Sequence, residues 1–168
     1  MSGPAFGLDF DARARAALDA APAVFLRELA VGVLEGQLLL EREVRERTPT
    51  SGAGTLRDSI GALPIELSGE RVVGAVGTSL AYAEPVEVGS RPHVPPLEPL
   101  ADWVRRKLGK TGEEGDAVAN AIRWAIAKRG TKGAFMFRDA LAAVQPQLES
   151  ILAAAAQRAI HRVGGAAS

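Results

Sequence analysis

The chain has 168 residues, 47% of them hydrophobic and 24% charged, which is an ordinary globular composition with enough length for one domain and its core. It contains no cysteine, which excludes disulfides, cysteine–zinc sites and thiol nucleophiles. The net charge is zero, but residues 1–90 hold 8 basic and 13 acidic side chains, and residues 91–168 hold 12 and 7. Halves of opposite charge favour head-to-tail self-association, and chance unevenness is the alternative.

The N-terminal stretch MSGPAFGLDFDARARAALDA carries acids where an export signal needs positive charge and then an apolar core, so we expect no signal peptide. The longest apolar runs are far shorter than the roughly 20 residues that span a bilayer. We expect residues 1–22 to form an N-terminal arm, residues 23–163 a single α+β domain, and residues 164–168 a flexible tail.

The first strong pattern is helical and covers Ala23–Arg47, with Pro22 expected at its start. Gly32 and Gly36 each disfavour a helix by about 1 kcal/mol relative to alanine, so we expect another segment to pack closely against them. The apolar stripe consists of Phe25, Leu29, Val33, Gly36, Leu40 and Val44, and the polar side of Glu28, Glu35, Arg42 and Glu46.

Three strands are predicted next. The runs Ala62–Leu67 and Arg71–Gly77 are rich in β-forming residues, and the short turn between them indicates a hairpin. Ala81–Val88 is predicted as a third strand, placed at an edge or bulged because Pro85 cannot donate to a ladder.

The remainder is predicted to be helical. One helix begins near Pro99 and ends at Gly109. Thr111 and Glu114 have the spacing of a capping box, which predicts a second helix through Arg129.

The last helix is predicted over residues 138–163, where Leu141 and Val144 begin an apolar stripe, with a kink or a later start at Pro146. The predicted fold is therefore α+β: a long N-terminal helix, a three-stranded antiparallel β-meander, and then C-terminal helices.

Motifs for common chemistries are incomplete. LGKTG (108–112) resembles the end of a phosphate-binding loop, but Val104 stands where that motif needs glycine. His93 and His161 lack metal-ligand spacing and are expected to be exposed or hydrogen-bonded. Ser51 and Ser59 lack a nucleophile elbow. No cofactor or metal is expected.

Two alternatives to a structural role stay open. An enzyme could use Glu84, Glu87 and His93, although two carboxylates three apart on a strand point to opposite faces. A non-specific DNA-binding accessory protein of a mobile element could use the basic cluster Arg105, Arg106, Lys107 and Lys110 beside Trp103. The simpler reading of that cluster is a solvated helix face with Trp103 turned into the core.

Four segments occur in an order that resembles the neck or tail-completion proteins of long-tailed bacteriophages, the group that includes the minor tail protein Z type. They are RTPTSGAGTLRDSI (47–60), VGTSLAYAEPVEVGS (76–90), RPHVPPLEPLADWV (91–104) and KGAFMFRDAL (132–141). The resemblance covers roughly residues 23–160. Pro85 and the loop LGKTGEEGD depart from the family pattern.

The resemblance implies a non-enzymatic virion protein of the head–tail junction that forms a ring and helps complete or attach the tail. Its partners would be copies of itself, neighbouring neck or connector and tail proteins, and, in passing and without sequence preference, DNA. No membrane is implied. The protein would lie in the virion, and in the host cytoplasm before assembly.

The segment AYAEPVEVGSRPHVPP (81–96) is the predicted subunit interface, because prolines hold an arm in shape before association and so reduce the entropy lost on binding. A plain connection between two elements is the alternative. The predicted interface residues are Tyr82, Glu84, Glu87, Gly89, Arg91, Pro92, Pro95 and Pro96.

Overall fold

The computed structural model describes residues 12–50, 54–68 and 71–167. Most of the described residues are helical, and the short strands pair antiparallel, which confirms the α+β class and the order of a long helix, strands and C-terminal helices. The helices are α1 (Ala12–Arg47), α2 (Thr55–Ser59), α3 (Ala83–Val88), α4 (Leu97–Leu108), α5 (Gly112–Arg129) and α6 (Met136–Ala167). The strands are β1 (Gly61–Ala62), β2 (Glu66–Ser68), β3 (Arg71–Val73), β4 (Val76–Gly77), β5 (Gly89–Ser90) and β6 (Thr131–Lys132).

The predicted hairpin is confirmed. Its two legs pair at two places: β2 with β3, where Leu67 faces Val72, and β1 with β4, where Ala62 faces Val76. The three-stranded meander is wrong, because the described strands form three separate pairs and the third pair joins β5 to β6.

The predicted third strand, 81–88, is instead the short helix α3. Pro85 is the third residue of this helix, where its missing N–H removes no intrahelical bond. Pro85 is therefore compatible with the first turn of a helix as well as with the edge strand that was predicted. In a helix, Glu84 and Glu87 lie one turn apart on neighbouring parts of the surface, so the expectation of opposite faces is also wrong.

Both long helices pass through a proline that was expected near a boundary. α1 continues through Pro22 from Ala12, and α6 continues through Pro146 from Met136. Residues 12–21 include six alanines, the strongest helix former, which favours continuation despite the bond lost at proline. The domain boundaries expected at 22/23 and 163/164 therefore coincide with no helix end, and as domain boundaries they stay predictions.

The contacts divide the chain into two compact units. The first combines Met1–Leu38, Leu63–Ala75 and Gln145–Ser168, and the second combines Leu39–Ala62 and Val76–Val144. In the first unit α1 packs on α6 through small residues, as predicted. A Cβ added to Gly32 would lie 2.7 Å from the Cβ of Ala155, and one added to Gly36 would lie 3.0 Å from Leu148.

A polar clamp holds the hairpin in the first unit. The Gln37 Nε2 atom donates to the carbonyl oxygen of Leu63 at 2.9 Å and to that of Ala75 at 2.8 Å, so one side chain joins both legs to α1. Gln37 is buried, and bonds to both legs satisfy its amide nitrogen.

Glu28, expected on the polar side of α1, is buried. Its carboxylate accepts from Arg158 Nε at 3.3 Å and forms an ion pair with Arg162 Nη1 at 3.0 Å. A buried carboxylate is tolerated when cations meet it, and here both cations come from α6.

The core of the second unit contains Val44, Leu56, Ile60, Ala83, Met136 and Ala140. It brings the end of α1, the short α2 and α3, and the start of α6 together. Arg45 supports it from the edge, since its Nε donates to the carbonyl oxygen of Ile60 at 2.9 Å. Leu141, expected in the stripe of α6, is exposed, whereas Val144 is buried as predicted.

Candidate interaction surface

Glu87 caps a helix that begins about 50 residues later in the chain. Its Oε2 atom accepts from the backbone N–H of Phe137 at 3.0 Å, and its Oε1 atom accepts from that of Arg138 at 3.1 Å. These N–H groups belong to the first turn of α6 and have no partner inside the helix. A carboxylate there also meets the positive end of the helix dipole. Glu87 therefore fixes the start of α6 to the end of α3.

Glycines let the two backbones approach each other beside this cap. A Cβ on Gly89 would overlap the carbonyl oxygen of Thr131, and one on Gly133 would overlap that of Glu87. Gly89 also has φ 87°, in the left-handed region that favours glycine. The backbone N–H groups of Ala134 and Phe135 donate to Val86 and Glu87, at 2.8 and 2.9 Å. We call residues 86–90 and 130–138 together the clasp.

The arm (residues 91–96) leaves the clasp and is tied to the protein at both ends. At its root the Ser90 backbone N–H donates to Thr131 Oγ1 at 3.0 Å. At its tip the Pro95 carbonyl oxygen accepts from Arg123 Nε on α5 at 3.1 Å. Pro96 has φ −58° and ψ 142°, which is polyproline II geometry. Residues 91–96 form neither helix nor strand, and the chain bends at Pro92.

The predicted interface residues divide into two groups. Tyr82, Glu84, Arg91, Pro92 and Pro96 are exposed, and 46% of the Tyr82 surface is accessible. The other three, Glu87, Gly89 and Pro95, are half-buried, and intrachain contacts occupy all three.

Sequence reasoning missed two apolar residues beside this group. Val88 ends α3 with 60% of its surface exposed, and Val94 lies within the arm with 53% exposed. The signal was present in EVGSRPHVP, where Val88 lies between Glu87 and Gly89 and Val94 lies between His93 and Pro95. Both side chains therefore add exposed apolar area next to the predicted interface residues.

Among the residues considered for catalysis, Glu84 is exposed, whereas Glu87, His93 and Ser59 have structural partners. Both carboxylate oxygens of Glu87 accept backbone N–H groups, and His93 Nδ1 lies 2.9 Å from the carbonyl oxygen of Arg91. Ser59 Oγ bonds the Leu56 carbonyl oxygen at 2.8 Å and Thr78 Oγ1 at 2.7 Å. Ser51 lies outside the described residues.

The described part of the chain holds no group of three or more His, Asp or Glu residues arranged to bind a metal ion. His161 is exposed, as expected. Among the helices of residues 12–50, 54–68 and 71–167, none combines the length and hydrophobicity that crossing a bilayer needs.

The basic cluster at the end of α4 is partly neutralised. Arg105 Nη2 pairs with Asp102 Oδ1 at 2.7 Å, and Lys110 pairs with Glu114. Thr111 occupies the N-cap of α5, but its side chain makes no capping bond, so the predicted capping box is not formed. Arg106 and Lys107 are exposed and, among the described residues, make no ion pair.

Two tryptophans differ in their surroundings. Trp103 is half-buried and lines a groove between α4 and α5 with Arg106. Trp124, which sequence reasoning did not single out, has 57% of its surface exposed on α5, between Ala121 and Lys128.

Comparison with known proteins identifies the family of this chain. Residues 6–89, half of the chain, match the model of the family described as "Bacteriophage HK97-gp10, putative tail-component". The matched region contains α1, the hairpin and α3, and it ends at Gly89, at the root of the arm. Searches among curated proteins and among solved structures gave no significant match.

Proposed function

Because the chain belongs to the bacteriophage HK97-gp10 tail-component family, we propose that it is a non-enzymatic virion protein of the head–tail junction. It oligomerises in a ring and helps to complete or attach the tail. Its partners are copies of itself and the neighbouring neck or connector and tail proteins. It is present in the host cytoplasm before assembly and in the virion afterwards.

The arm is the observation that carries this proposal. It is exposed along most of its length, yet it is held at the root by Thr131 and at the tip by Arg123. Ordering a flexible backbone costs about 1–2 kcal/mol per residue in conformational entropy. A flexible arm of this length would therefore lose several kcal/mol of binding free energy on docking. An arm already fixed in shape keeps most of that free energy for the contact with its partner.

The exposed residues around the arm suit contact between protein copies. Tyr82 and Val94 offer aromatic and apolar area, whereas Glu84 and Arg91 offer opposite charges. A patch that meets a different patch on the next copy produces a ring when the rotation closes. The interface role of Glu87, Gly89 and Pro95 stays part of the proposal, with these residues acting by fixing the arm rather than by touching the neighbour.

The proposal of no catalysis is supported by the hydrogen bonds at the candidate acid. A general acid or base needs a carboxylate oxygen that can reach a substrate. Both oxygens of Glu87 instead accept the first-turn N–H groups of α6.

A transient contact with passing DNA is a further part of the proposal. Of the four predicted DNA-facing residues, Arg105 and Lys110 already pair with carboxylates, which leaves Arg106 and Lys107 for phosphate. Two such contacts give weak, sequence-independent binding. Weak binding is compatible with a junction through which DNA has to move.

The test uses deletion and complementation in a lysogen that produces the phage. Deletion of the gene is expected to give filled heads and tails that fail to join, or tails of aberrant length, in electron micrographs. Normal virions after deletion would refute the proposed function.

The arm is tested in the same system with two variants. Val94→Asp places a charge on the arm, and Leu141→Asp places one on an exposed apolar position of α6. We expect Leu141→Asp to restore joined particles and Val94→Asp to lower their number at least about tenfold, since a buried interface charge costs more than 1.4 kcal/mol. Full complementation by Val94→Asp would contradict the role of the arm.

A further inference from the structure

The first unit carries an apolar groove of about 550 Å³ between α1 and the hairpin. Its lining residues are Ala23, Leu26, Arg27, Ala30, Val31, Leu34, Ile65 and Leu67. Leu67 has 63% of its surface exposed, and Val31 and Leu34 are also exposed. Arg27 contributes the one charge of this lining, and its side chain is exposed too.

The groove lies on a side of α1 that the described chain leaves uncovered. Gly32 and Gly36 face α6, and Leu34 is 200° from Gly32 around a helix of 3.6 residues per turn, about the opposite side. The hairpin flanks the groove, and among the described strands β2 pairs with β3 alone. The groove therefore combines apolar side chains with an open strand edge, which is how an extended peptide segment is bound.

The N-terminal end of the sequence contains a segment with the complementary pattern. Residues Phe6, Leu8 and Phe10 alternate with small or acidic residues in AFGLDFD, so an extended segment would place all three apolar side chains on one side. Asp9 would bring a negative charge to the positive charge of Arg27. The family match begins at residue 6, so this segment belongs to the family pattern.

The helix length decides which copy supplies the segment. Leu26 lies 14 residues and Leu34 lies 22 residues beyond Ala12, which places them about 21 and 33 Å along α1. Phe10 precedes Ala12 by two residues, which span at most about 7 Å, and Phe6 precedes it by six, about 22 Å. A chain folding back along its own α1 cannot bring the three apolar residues to the groove together.

We propose that residues 6–10 of one copy bind in the groove of a neighbouring copy. The inference rests on the proposed self-association and assigns it a second contact besides the arm. Each copy then offers one segment and one groove, which is the arrangement that builds rings. A stable interface buries about 800 Å² on each side, more than a six-residue arm supplies, and two phenylalanines and a leucine add several hundred Å².

Photocrosslinking tests the contact directly. Leu8 is replaced by the photoreactive residue benzoylphenylalanine in the full chain, and isotopically heavy and light copies are mixed before irradiation. We expect crosslinks to α1 between residues 23 and 34 or to Leu67, with heavy–light pairs that show transfer between copies. Crosslinks only within one copy, or none to these residues, would overturn the proposal.

Complementation between two defective variants gives an independent readout. The triple variant Phe6→Ser, Leu8→Ser, Phe10→Ser loses the segment, and Leu34→Glu spoils the groove. Each is expected to raise the self-association constant (Kd) at least about 100-fold by light scattering, since two or more apolar side chains lose their burial. Because one variant keeps the groove and the other the segment, the mixture should form pairs.

The control is Ile160→Glu, at an exposed position on α6, which should associate like the original chain. Helical circular dichroism checks that each variant folds. If the triple serine variant and Leu34→Glu associate normally, the segment–groove contact is refuted, and the proposed head–tail function is unaffected. Loss of association in the variants, together with normal virions after gene deletion, would sink the function alone.

Discussion

The cap on α6 offers a measurement that separates a structural role of Glu87 from an interface role. Glu87→Ala removes the acceptor of two backbone N–H groups, those of Phe137 and Arg138. Loss of a helix N-cap costs about 0.5–2 kcal/mol, and hydrogen bonds to a charged group contribute about 1.5–3 kcal/mol each. Because the site is half-buried, water can bond the two N–H groups in the variant and offset part of the lost free energy. We expect a decrease of about 2–3 kcal/mol in the free energy of unfolding.

Two variants bracket this value. Glu87→Gln retains one side-chain oxygen but loses the charge, so about half of the decrease is expected. Glu84→Ala changes an exposed acid one turn earlier and should stay within about 0.5 kcal/mol of the original protein. A matched pair on one short helix thus compares the same chemical change with and without the cap.

Urea unfolding followed by tryptophan fluorescence is the suitable assay. Trp103 and Trp124 both belong to the second unit, which also contains the cap, so the signal reports the part of the chain that the substitution affects. The midpoint and the slope are fitted separately, because a change in slope would indicate a departure from two-state unfolding. If Glu87→Ala and Glu84→Ala unfold at the same urea concentration, the capping argument is refuted.

Two further predictions concern packing and DNA. Gly32→Val should destabilise the first unit by about 1–3 kcal/mol, which circular dichroism would show as a lower melting temperature. The control Gly61→Ala should be nearly neutral, because the space around its Cβ position is open. Equal melting temperatures for the two variants would contradict the close packing at Gly32. Duplex DNA binding, measured by fluorescence anisotropy, should weaken with salt with a logarithmic slope of about −2, as two phosphate contacts from Arg106 and Lys107 predict. Asp102→Ala frees Arg105 as a third cation, so the logarithmic slope should change from about −2 to about −3. An unchanged slope would argue against DNA binding by this basic cluster.

Features that depend on residues close together in the sequence, such as helix ends, could be predicted from the sequence. The end of α5 follows from Arg129 and the glycine after it, and the end of α4 from Gly109, which has φ 66°. The packing at Gly32 could be predicted because glycine inside a helix needs a compensating contact, although the partner Ala155 could not be named.

The errors occur where a distant residue decides the conformation. The run 81–88 contains valines and a proline that fit either an edge strand or a first helical turn. What favours the helix is the contact of Glu87 with α6 and of Gly89 with Thr131, more than 40 residues away. Glu28 was likewise assigned to the polar side of α1, because nothing nearby in sequence indicates that Arg158 and Arg162 meet it.

The candidate surface shows the same division. The exposed arm was predictable from its prolines, whose restricted φ is a property of the residue itself. The inward role of Glu87 was not predictable, since an acid two residues before a glycine is equally typical of a surface charge. Partial neutralisation of the basic cluster by Asp102 could have been anticipated, because the acid lies three residues before Arg105 on a predicted helix.

The first unit is assembled from three stretches of chain that are far apart in sequence, and this affects synthesis. Its α1 part emerges from the ribosome early, but the residue that fits against Gly32 is Ala155, 123 positions later. Chains are made at about 5–20 residues per second, so the early helix waits several seconds for its counterpart. Products that terminate before residue 145 therefore lack the α6 part of the first unit, and their α1 has no counterpart for Gly32 to pack against.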